Sequence, residues 1–181
     1  MTVRKLTPYL PYAGIPFIGI ALAIIWLGGA DAFSLLNYSL IIIFGYIAAI
    51  LDLKSKKIPN KLTVAMFAAW LMIMTPKLFL DTNNAVATLL DSALGFALAG
   101  GLFILVYLIS RKGLGGGDVK FMAAAGVFLG FGKIIPATLY GSILAALTAL
   151  TLILLKKIKS KDTIPLIPFL YVGILLTIFF N

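Results

Sequence analysis

The sequence contains no cysteine, no histidine and no glutamate, and these absences remove most of the common kinds of catalytic site. Without cysteine there are no disulfides, no thiolate metal sites and no thiol nucleophiles. Without histidine, the commonest general base and the commonest zinc ligand are both missing. Acid–base chemistry must therefore come from lysine, from tyrosine or from the aspartates. The six aspartates are Asp31, Asp52, Asp81, Asp91, Asp118 and Asp162.

Charged residues are also scarce, since they make up 12% of the 181 residues while apolar residues make up 62%. The mean hydropathy of +1.11 lies far outside the range of soluble domains and indicates an integral membrane protein. Long apolar runs, each matching the length of a spanning helix, occupy residues 10–30, 33–51, 62–80, 85–109, 134–155 and 164–180. The sequence thus predicts an all-α, polytopic membrane helix bundle that forms a single domain over residues 1–181.

A further apolar segment, residues 119–131, is too short to cross an unthinned bilayer comfortably. We interpret it as a short span shielded by its neighbours or as a re-entrant helix. If it crosses, all clusters of basic residues fall on one side of the membrane, and only Lys77 and Lys133 fall on the other. The positive-inside rule therefore favours seven spans over six, with a cytoplasmic amino terminus. The clusters are Arg4 and Lys5; Lys54, Lys56, Lys57 and Lys61; Arg111, Lys112 and Lys120; and Lys156, Lys157, Lys159 and Lys161.

The net charge of +9 is explained by this topology, so no nucleic-acid partner is expected. Two aspartates lie beside helix ends on the predicted cytoplasmic face. Asp52 closes the second apolar run, at a helix carboxyl end, where the macrodipole disfavours a carboxylate. Asp118 follows the glycine run GLGGG and precedes the short apolar segment. Taken singly, Asp52 is explained by pairing with Lys54 or Lys56, and Asp118 by N-capping of the helix that follows it. Capping or solvation suffices for Asp31, Asp81 and Asp91, and Asp162 is explained as a cap or as a partner of the nearby lysines.

Considered together, Asp52 and Asp118 indicate a more specific chemistry. Two carboxyl groups brought close in a low-dielectric site cannot both ionise easily, so the pair can share a proton. The charged member then deprotonates a water that attacks a peptide carbonyl, while the protonated member polarises the carbonyl oxygen, as in aspartic proteolysis. Glycines 115–117 would let an extended substrate backbone approach Asp118. A phosphate-binding loop is excluded because its Lys-Ser/Thr ending is absent and Asp118 would repel an anion.

The residues around both aspartates resemble the motifs of the type IV prepilin peptidases, a family of GxGD membrane aspartic proteases that includes archaeal preflagellin peptidases. The first family motif, an aspartate followed seven residues later by a proline, is matched by Asp52, Ile58, Pro59 and Asn60. The second, Gly-x-Gly-Asp-x-Lys, is matched by Gly115, Gly117, Asp118 and Lys120. The stretch IPLIPFLYVG, residues 164–173, also resembles the proline-rich last helix of bacterial members.

The resemblance implies cleavage of a short basic leader from prepilin-like or preflagellin-like precursors at the cytoplasmic face of the plasma membrane. Asp52 and Asp118 are then the catalytic pair, no metal or cofactor is needed, and the precursor and the lipid bilayer are the partners. The usual bacterial members also carry an amino-terminal methyltransferase region with paired CxxC motifs. Because this chain has no cysteine and no soluble insertion, we expect peptidase activity without methyl transfer. Short stand-alone members, associated with tight-adherence pili or with archaea, have this form.

Three other classes of function remain open from the sequence. A small proton- or cation-coupled transporter could use Asp52 and Asp118, although transporter carboxylates are expected near the membrane midplane. A presenilin-like intramembrane protease shares GxGD, but its first aspartate normally follows a tyrosine directly, and here Leu51 precedes Asp52. An inactive assembly partner is the non-enzymatic alternative. Lys120 either acts on Asp118 or merely extends to the membrane interface.

Overall fold

A computed structural model describes residues 10–29, 31–110, 113–159 and 164–180, with side chains described from residue 18 onward. Helices make up most of these residues and confirm the predicted all-α class. They are α1 Leu10–Leu27, α2 Ala32–Ser55, α3 Asn60–Leu80, α4 Thr82–Ile109, α5 Gly116–Leu154 and α6 Ile167–Phe180. Some of the charged residues lie outside the described residues, namely Arg4, Lys5, Arg111, Lys112, Lys161 and Asp162.

Four of the described helices, α2 to α5, are long and apolar enough to cross a membrane by length and composition. The part of α1 whose side chains are described, Ile18–Leu27, and the whole of α6 are shorter apolar helices. Large apolar side chains also cover the outer surface; Leu108, Ile109 and Leu154 are each about 70% exposed. Such a surface fits a lipid environment, because a soluble bundle rarely exposes large contiguous apolar areas. The number of crossings and the orientation stay predictions.

The apolar segments 119–131 and 134–155, predicted to be separate, are two helical segments of α5 that meet at a kink at Gly130. Gly130 has φ 69° and ψ −179°, a conformation that essentially only glycine adopts without strain. The amino-terminal part of α5 is enclosed, since every side chain from Phe121 to Gly130 is buried. The short segment is therefore shielded by its neighbours, and the choice between a span and a re-entrant helix stays a prediction.

The interruption at Gly130 frees backbone polar groups, and side chains from two other helices satisfy them. The side-chain amide of Asn37 on α2 donates to the carbonyl of Phe128 at 2.6 Å. The carboxylate of Asp91 on α4 accepts from the N–H of Phe131 at 3.0 Å. Broken helices are tolerated at membrane depth only where such partners exist. Asp91 does cap a helical segment, as predicted, but it caps a segment of a different helix.

Small residues bring α4, α5 and α6 into close backbone contact. A side chain at Gly95 on α4 would meet the backbone of Gly126 and Gly130 on α5. A side chain at Gly173 on α6 would likewise meet the backbone of Ala137 and Gly141 on α5. Membrane helices associate through close packing of this kind because lipid supplies no hydrophobic driving force between them. These contacts fix the position of α5, and with it the position of Asp118.

Asp31 and Asp81 fall near the ends of helices, as expected for capping or solvated residues. Asp31 is the N-cap of α2 and accepts from the N–H groups of Phe33 and Ser34 at 3.2 and 3.3 Å. Asp81 lies between α3 and α4 and is exposed, and its carboxylate accepts from the side chain of Asn84 at 2.7 Å. The interpretation of Asp31 as a cap is therefore confirmed, whereas Asp81 makes no backbone cap with its side chain.

Candidate active site

The first motif begins in the last turn of α2 and runs through a short turn into α3. Lys56 ends α2 in a left-handed conformation, with φ 51° and ψ 30°, and its N–H donates to the carbonyl of Asp52 at 2.8 Å. The hydroxyl of Ser55 donates to the carbonyls of Leu51 and Lys57, which tightens the turn. The chain then enters α3 after Pro59, whose extended backbone precedes the first helical residue. The turn holds Asp52 facing inward while the lysines around it remain exposed.

Asp52 is buried, with 5% of its surface exposed, although it stands at the unfavourable end of α2. Its Oδ2 accepts from the N–H of Ile167 at 3.1 Å. Ile167 is the first residue of α6, so this N–H is one of the free donors at a helix amino terminus. The positive end of the α6 dipole thus offsets the negative end of the α2 dipole, so the buried carboxylate of Asp52 is stabilised there.

Asp118 is the third residue of α5, not its N-cap, so the capping interpretation needs correction. The N-cap is Gly115, whose backbone is extended at φ −81° and ψ 143°. The Oδ2 of Asp118 accepts from the N–H of Gly115 at 3.0 Å, and the N–H of Asp118 donates to the Gly115 carbonyl at 3.0 Å. Asp118 therefore does close the first turn, but it does so from inside the helix and with one carboxylate oxygen.

The two aspartates line the same cavity, which has a volume of about 270 Å³. Because both carboxyl groups line this one cavity, they face the same space. Three parts of the chain enclose the cavity: the end of α2, the glycine run before α5, and the segment before α6. The remaining wall residues are Lys56, Gly113, Leu114, Gly115, Ile164, Pro165 and Leu166. Among the described residues, no group of three or more His, Cys, Asp or Glu side chains lies together to hold a metal ion.

The supporting residues of the two motifs contact each other outside the cavity. The ammonium group of Lys120 donates to Oδ1 of Asn60 at 2.8 Å. A Cβ atom at Gly117 would lie 3.1 Å from Cβ of Ile58 and 3.2 Å from its backbone nitrogen. The turn after α2 is therefore fastened to the first turn of α5 at two points. These contacts hold the turn that follows Asp52 against the helical turn that carries Asp118.

These contacts change the roles expected for some motif residues. Gly117 gives close packing against Ile58 rather than room for a substrate, and Gly113 and Gly115 are the glycines that line the cavity. Lys120 is bonded to Asn60, which favours a role in holding the two motifs together over simple extension to the interface. The N–H of Ile167 was not predicted, whereas Lys56 is one of the nearby lysines expected beside Asp52. The proline-rich stretch 164–173 pointed to the right segment, but not to its bond with Asp52.

Residues 39–150 match the Type IV leader peptidase family, and this region contains both aspartates and both motifs. A prepilin leader peptidase/N-methyltransferase of Legionella pneumophila is 34% identical over 134 residues, covering 72% of this chain and 45% of the relative. The corresponding protein of Bacillus subtilis is 27% identical over 131 residues, covering 72% of this chain and 50% of the relative. That of Pectobacterium carotovorum is 26% identical over 145 residues, covering 80% and 49%. No solved structure gives a significant match.

The chain spans at most half the length of these curated relatives. The match nevertheless includes every residue of the first and second motifs, which face each other at one end of the bundle. Neither a transporter nor a presenilin-like protease is favoured by these similarities. Since the matched region is more than half of the sequence, the chain belongs to the type IV leader peptidase family.

Proposed function

We propose that this chain is a membrane-embedded aspartic endopeptidase that removes the short basic leader from type IV prepilin-like or preflagellin-like precursors. In this proposal, cleavage takes place at the cytoplasmic face of the plasma membrane. The chain crosses the membrane seven times and has its amino terminus in the cytoplasm. The observation that carries the proposal is the convergence of Asp52 and Asp118 on one cavity. The names of the relatives support the substrate class, because each is called a prepilin leader peptidase.

The catalytic roles follow from the surroundings of each carboxyl group. Each carboxylate accepts one backbone N–H at a helix amino terminus, Asp52 from Ile167 and Asp118 from Gly115. The positive charge of Lys56 further favours a negative charge on Asp52. Asp118 faces that negative charge across the cavity, so a single proton shared by the pair resides on Asp118. Asp52 is therefore assigned as the base that deprotonates the attacking water. Asp118 is assigned as the acid that donates a hydrogen bond to the scissile carbonyl.

The substrate backbone is proposed to approach along the glycine run, where Gly113 and Gly115 line the cavity without side chains. An extended strand needs such an opening because its carbonyl must come within about 3 Å of both carboxyl groups. The apolar helix that follows the leader would remain in the bilayer. The basic leader would remain in the cytoplasm by the same rule that retains the lysines of the first motif.

Methyl transfer is proposed to be absent from this chain. The relatives are named for two activities, and the aligned residues amount to at most half of each relative. The sequence has no cysteine to form the paired CxxC motifs expected of a methyltransferase region. Mass spectrometry of a processed pilin should therefore find a free, unmethylated amino terminus. An amino-terminal N-methyl group made by this chain alone would contradict the assignment.

The peptidase assignment is tested with Asp52→Asn and Asp118→Asn, assayed on a co-expressed prepilin by the change in gel mobility. Each amide still accepts the backbone hydrogen bond of the aspartate it replaces, so the fold is kept while ionisation is lost. Each variant should lower leader cleavage by about 10² to 10⁴-fold. Asp81→Asn is the matched control, since Asp81 is exposed and bonded to Asn84. If either active-site variant cleaves at the rate of the control while folded, the pair is not catalytic.

A further inference from the structure

Two consecutive backbone donors at the start of α6, the N–H groups of Leu166 and Ile167, interact with the carboxyl group of Asp52. The residues on either side of this donor pair are Pro165 and Pro168, which have no N–H. The donor pair therefore has no neighbouring N–H on either side. Because a helix amino terminus stabilises a negative charge only over its first turn, the state of Asp52 depends on where α6 places the donor pair.

Gly45 and Tyr171 form a close contact between α2 and α6, one to two turns away from the donor pair. Gly45 precedes Asp52 by seven residues, about two turns, so the two residues lie on the same face of α2. Tyr171 follows Ile167 by four residues, about one turn, so these two share a face of α6. A Cβ atom at Gly45 would lie 2.6 Å from Cδ2 and 2.9 Å from Cε2 of Tyr171. The tyrosine ring therefore packs directly on the backbone of α2.

The surroundings of this contact leave the Tyr171 ring little room to move. The ring is half-buried and lies beside that of Tyr46, with the two centroids 6.3 Å apart. On another face, α6 touches the backbone of α5, since a Cβ atom at Gly141 would lie 2.7 Å from Cα of Leu170 and one at Gly173 would meet the α5 backbone. Because α6 cannot recede toward α5, the tyrosine ring fixes the spacing of α2 and α6.

We propose that Tyr171, packed on Gly45, is a positioning residue for leader cleavage, because its ring places the donor pair of α6 against Asp52. The inference rests on the proposed function, in which Asp52 is the base that deprotonates the attacking water. Tyr171 does not line the catalytic cavity, so it acts through α6 and not by contact with the substrate.

Gly45→Ala tests the contact by adding one methyl group to α2. The ring of Tyr171 would have to move by about 1 Å to reach the ordinary contact distance of about 3.5–4.0 Å. A misplacement of about 1 Å at a catalytic group can lower the rate about 100-fold, so kcat for a purified prepilin should fall by about 10- to 100-fold. KM should not change, because the substrate does not contact the added methyl group.

Gly101→Ala is the matched control, since Gly101 also lies inside a helix but has open space around it, and it should keep the wild-type kcat. Equal kcat values for Gly45→Ala and Gly101→Ala would overturn the proposal. Gly45→Ala combined with Tyr171→Leu, which shortens the side chain that meets the methyl group, should cleave about threefold or more faster than Gly45→Ala alone. Additive losses in the double variant would show that the two residues do not act through one contact, and would also overturn it.

Should Gly45→Ala fail to fold, variants of Tyr171 alone decide the question. Tyr171→Ala removes the ring and should lower kcat at unchanged KM, whereas the conservative variant Tyr171→Phe keeps the ring and should restore it. Equal kcat values for these two variants would overturn the proposal, because the ring would then have no effect on the chemical step.

A measurement without substrate separates this inference from the proposed function. The chain has no native cysteine, so Asp52→Cys introduces a single thiol, and a helix amino terminus stabilises a thiolate. The pH at which alkylation of this thiol reaches half its maximal rate should rise by about half a unit when Gly45→Ala is added. A mere opening of the cavity would change the maximal rate and not this midpoint. The other charged groups that line the cavity, Lys56 and Asp118, are the same in both proteins.

The two possible failures are therefore distinct. An unchanged midpoint would overturn the positioning role of Tyr171 even if the wild-type chain cleaves the leader. A raised midpoint in a chain that cleaves no prepilin would instead support the placement of the donor pair and contradict the proposed function.

Discussion

Asp118 and Asp91 make the same hydrogen bond in two regions of the molecule and differ in what surrounds it. Each carboxylate accepts one backbone N–H at 3.0 Å where a helical segment of α5 begins, from Gly115 and from Phe131 respectively. Asp118 faces a second carboxylate across its cavity, whereas Asp91 lines a cavity with two lysines. A capping bond is therefore compatible with the catalytic role that we propose for Asp118. The neighbouring charges, not the bond itself, distinguish the two sites.

The comparison is tested most strongly by exchanging each aspartate for asparagine. Asp118→Asn should reduce leader cleavage by about 10² to 10⁴-fold, because the proton that polarises the carbonyl is lost. Asp91→Asn should leave cleavage unchanged, because its amide oxygen still accepts from Phe131. Initial rates on a co-expressed prepilin measure both. A loss of cleavage with Asp91→Asn as large as with Asp118→Asn would show that the two regions are not distinct in function.

Gly130→Ala tests how the backbone conformation at Gly130 supports the contact of Asp91 with α5. A methyl group there would enter a left-handed conformation and collide with the Asp91 carboxylate, which must then leave the Phe131 N–H. We expect a loss of about 2–4 kcal/mol in unfolding free energy, seen as a lower thermal midpoint in detergent. Gly101→Ala, in an open position on α4, should cost little. Equal midpoints for the two variants would mean that the interruption of α5 is not fixed by Gly130.

Gly117→Ala tests how the packing of Gly117 against Ile58 supports the position of Asp118. The added methyl group would press on Ile58, and the turn after α2 must shift by a few tenths of an ångström relative to α5. We expect a cost of about 1 kcal/mol in stability, together with a lower cleavage rate because the separation of Asp52 and Asp118 changes. Gly116→Ala meets no atom within 4 Å and serves as the control. Equal cleavage rates for the two variants would contradict this prediction, because the shift at Gly117 would then have no effect on the two aspartates.

Lys120→Met should have the smallest effect. The Lys120 to Asn60 bond is exposed, and exposed bonds of this kind contribute about 0.5–1 kcal/mol. We expect a small decrease in the thermal midpoint and a modest decrease in cleavage, since Gly117 and Ile58 still hold the two motifs together. Lys61→Met, an exposed neighbour at the start of α3, should change neither quantity. A complete loss of cleavage with Lys120→Met would instead place the lysine in the chemistry.

The helices and the pairing of Asp52 with Asp118 were predictable from the sequence because both depend on patterns with short range or distinctive composition. Apolar runs gave α2, α3 and α4 to within a few residues, and the charge distribution placed both aspartates at one end. The partner of Asp52 was not predictable, because Ile167 lies 115 residues away and the bond depends on where α6 packs. The same holds for Asn37 and Phe128, which are 91 residues apart. A helix interruption shows in the sequence only as a glycine, and the side chains that satisfy it come from elsewhere.

The central claim is that Asp52 and Asp118 face each other across one cavity in the membrane-inserted protein. The absence of native cysteine allows a clean measurement with the double variant Asp52→Cys and Asp118→Cys, treated in membranes with a short bifunctional thiol reagent. We predict an intramolecular cross-link in high yield, and none in a control that pairs Asp52→Cys with Asp91→Cys. Absence of the first cross-link, with both thiols shown to be reactive, would contradict the account.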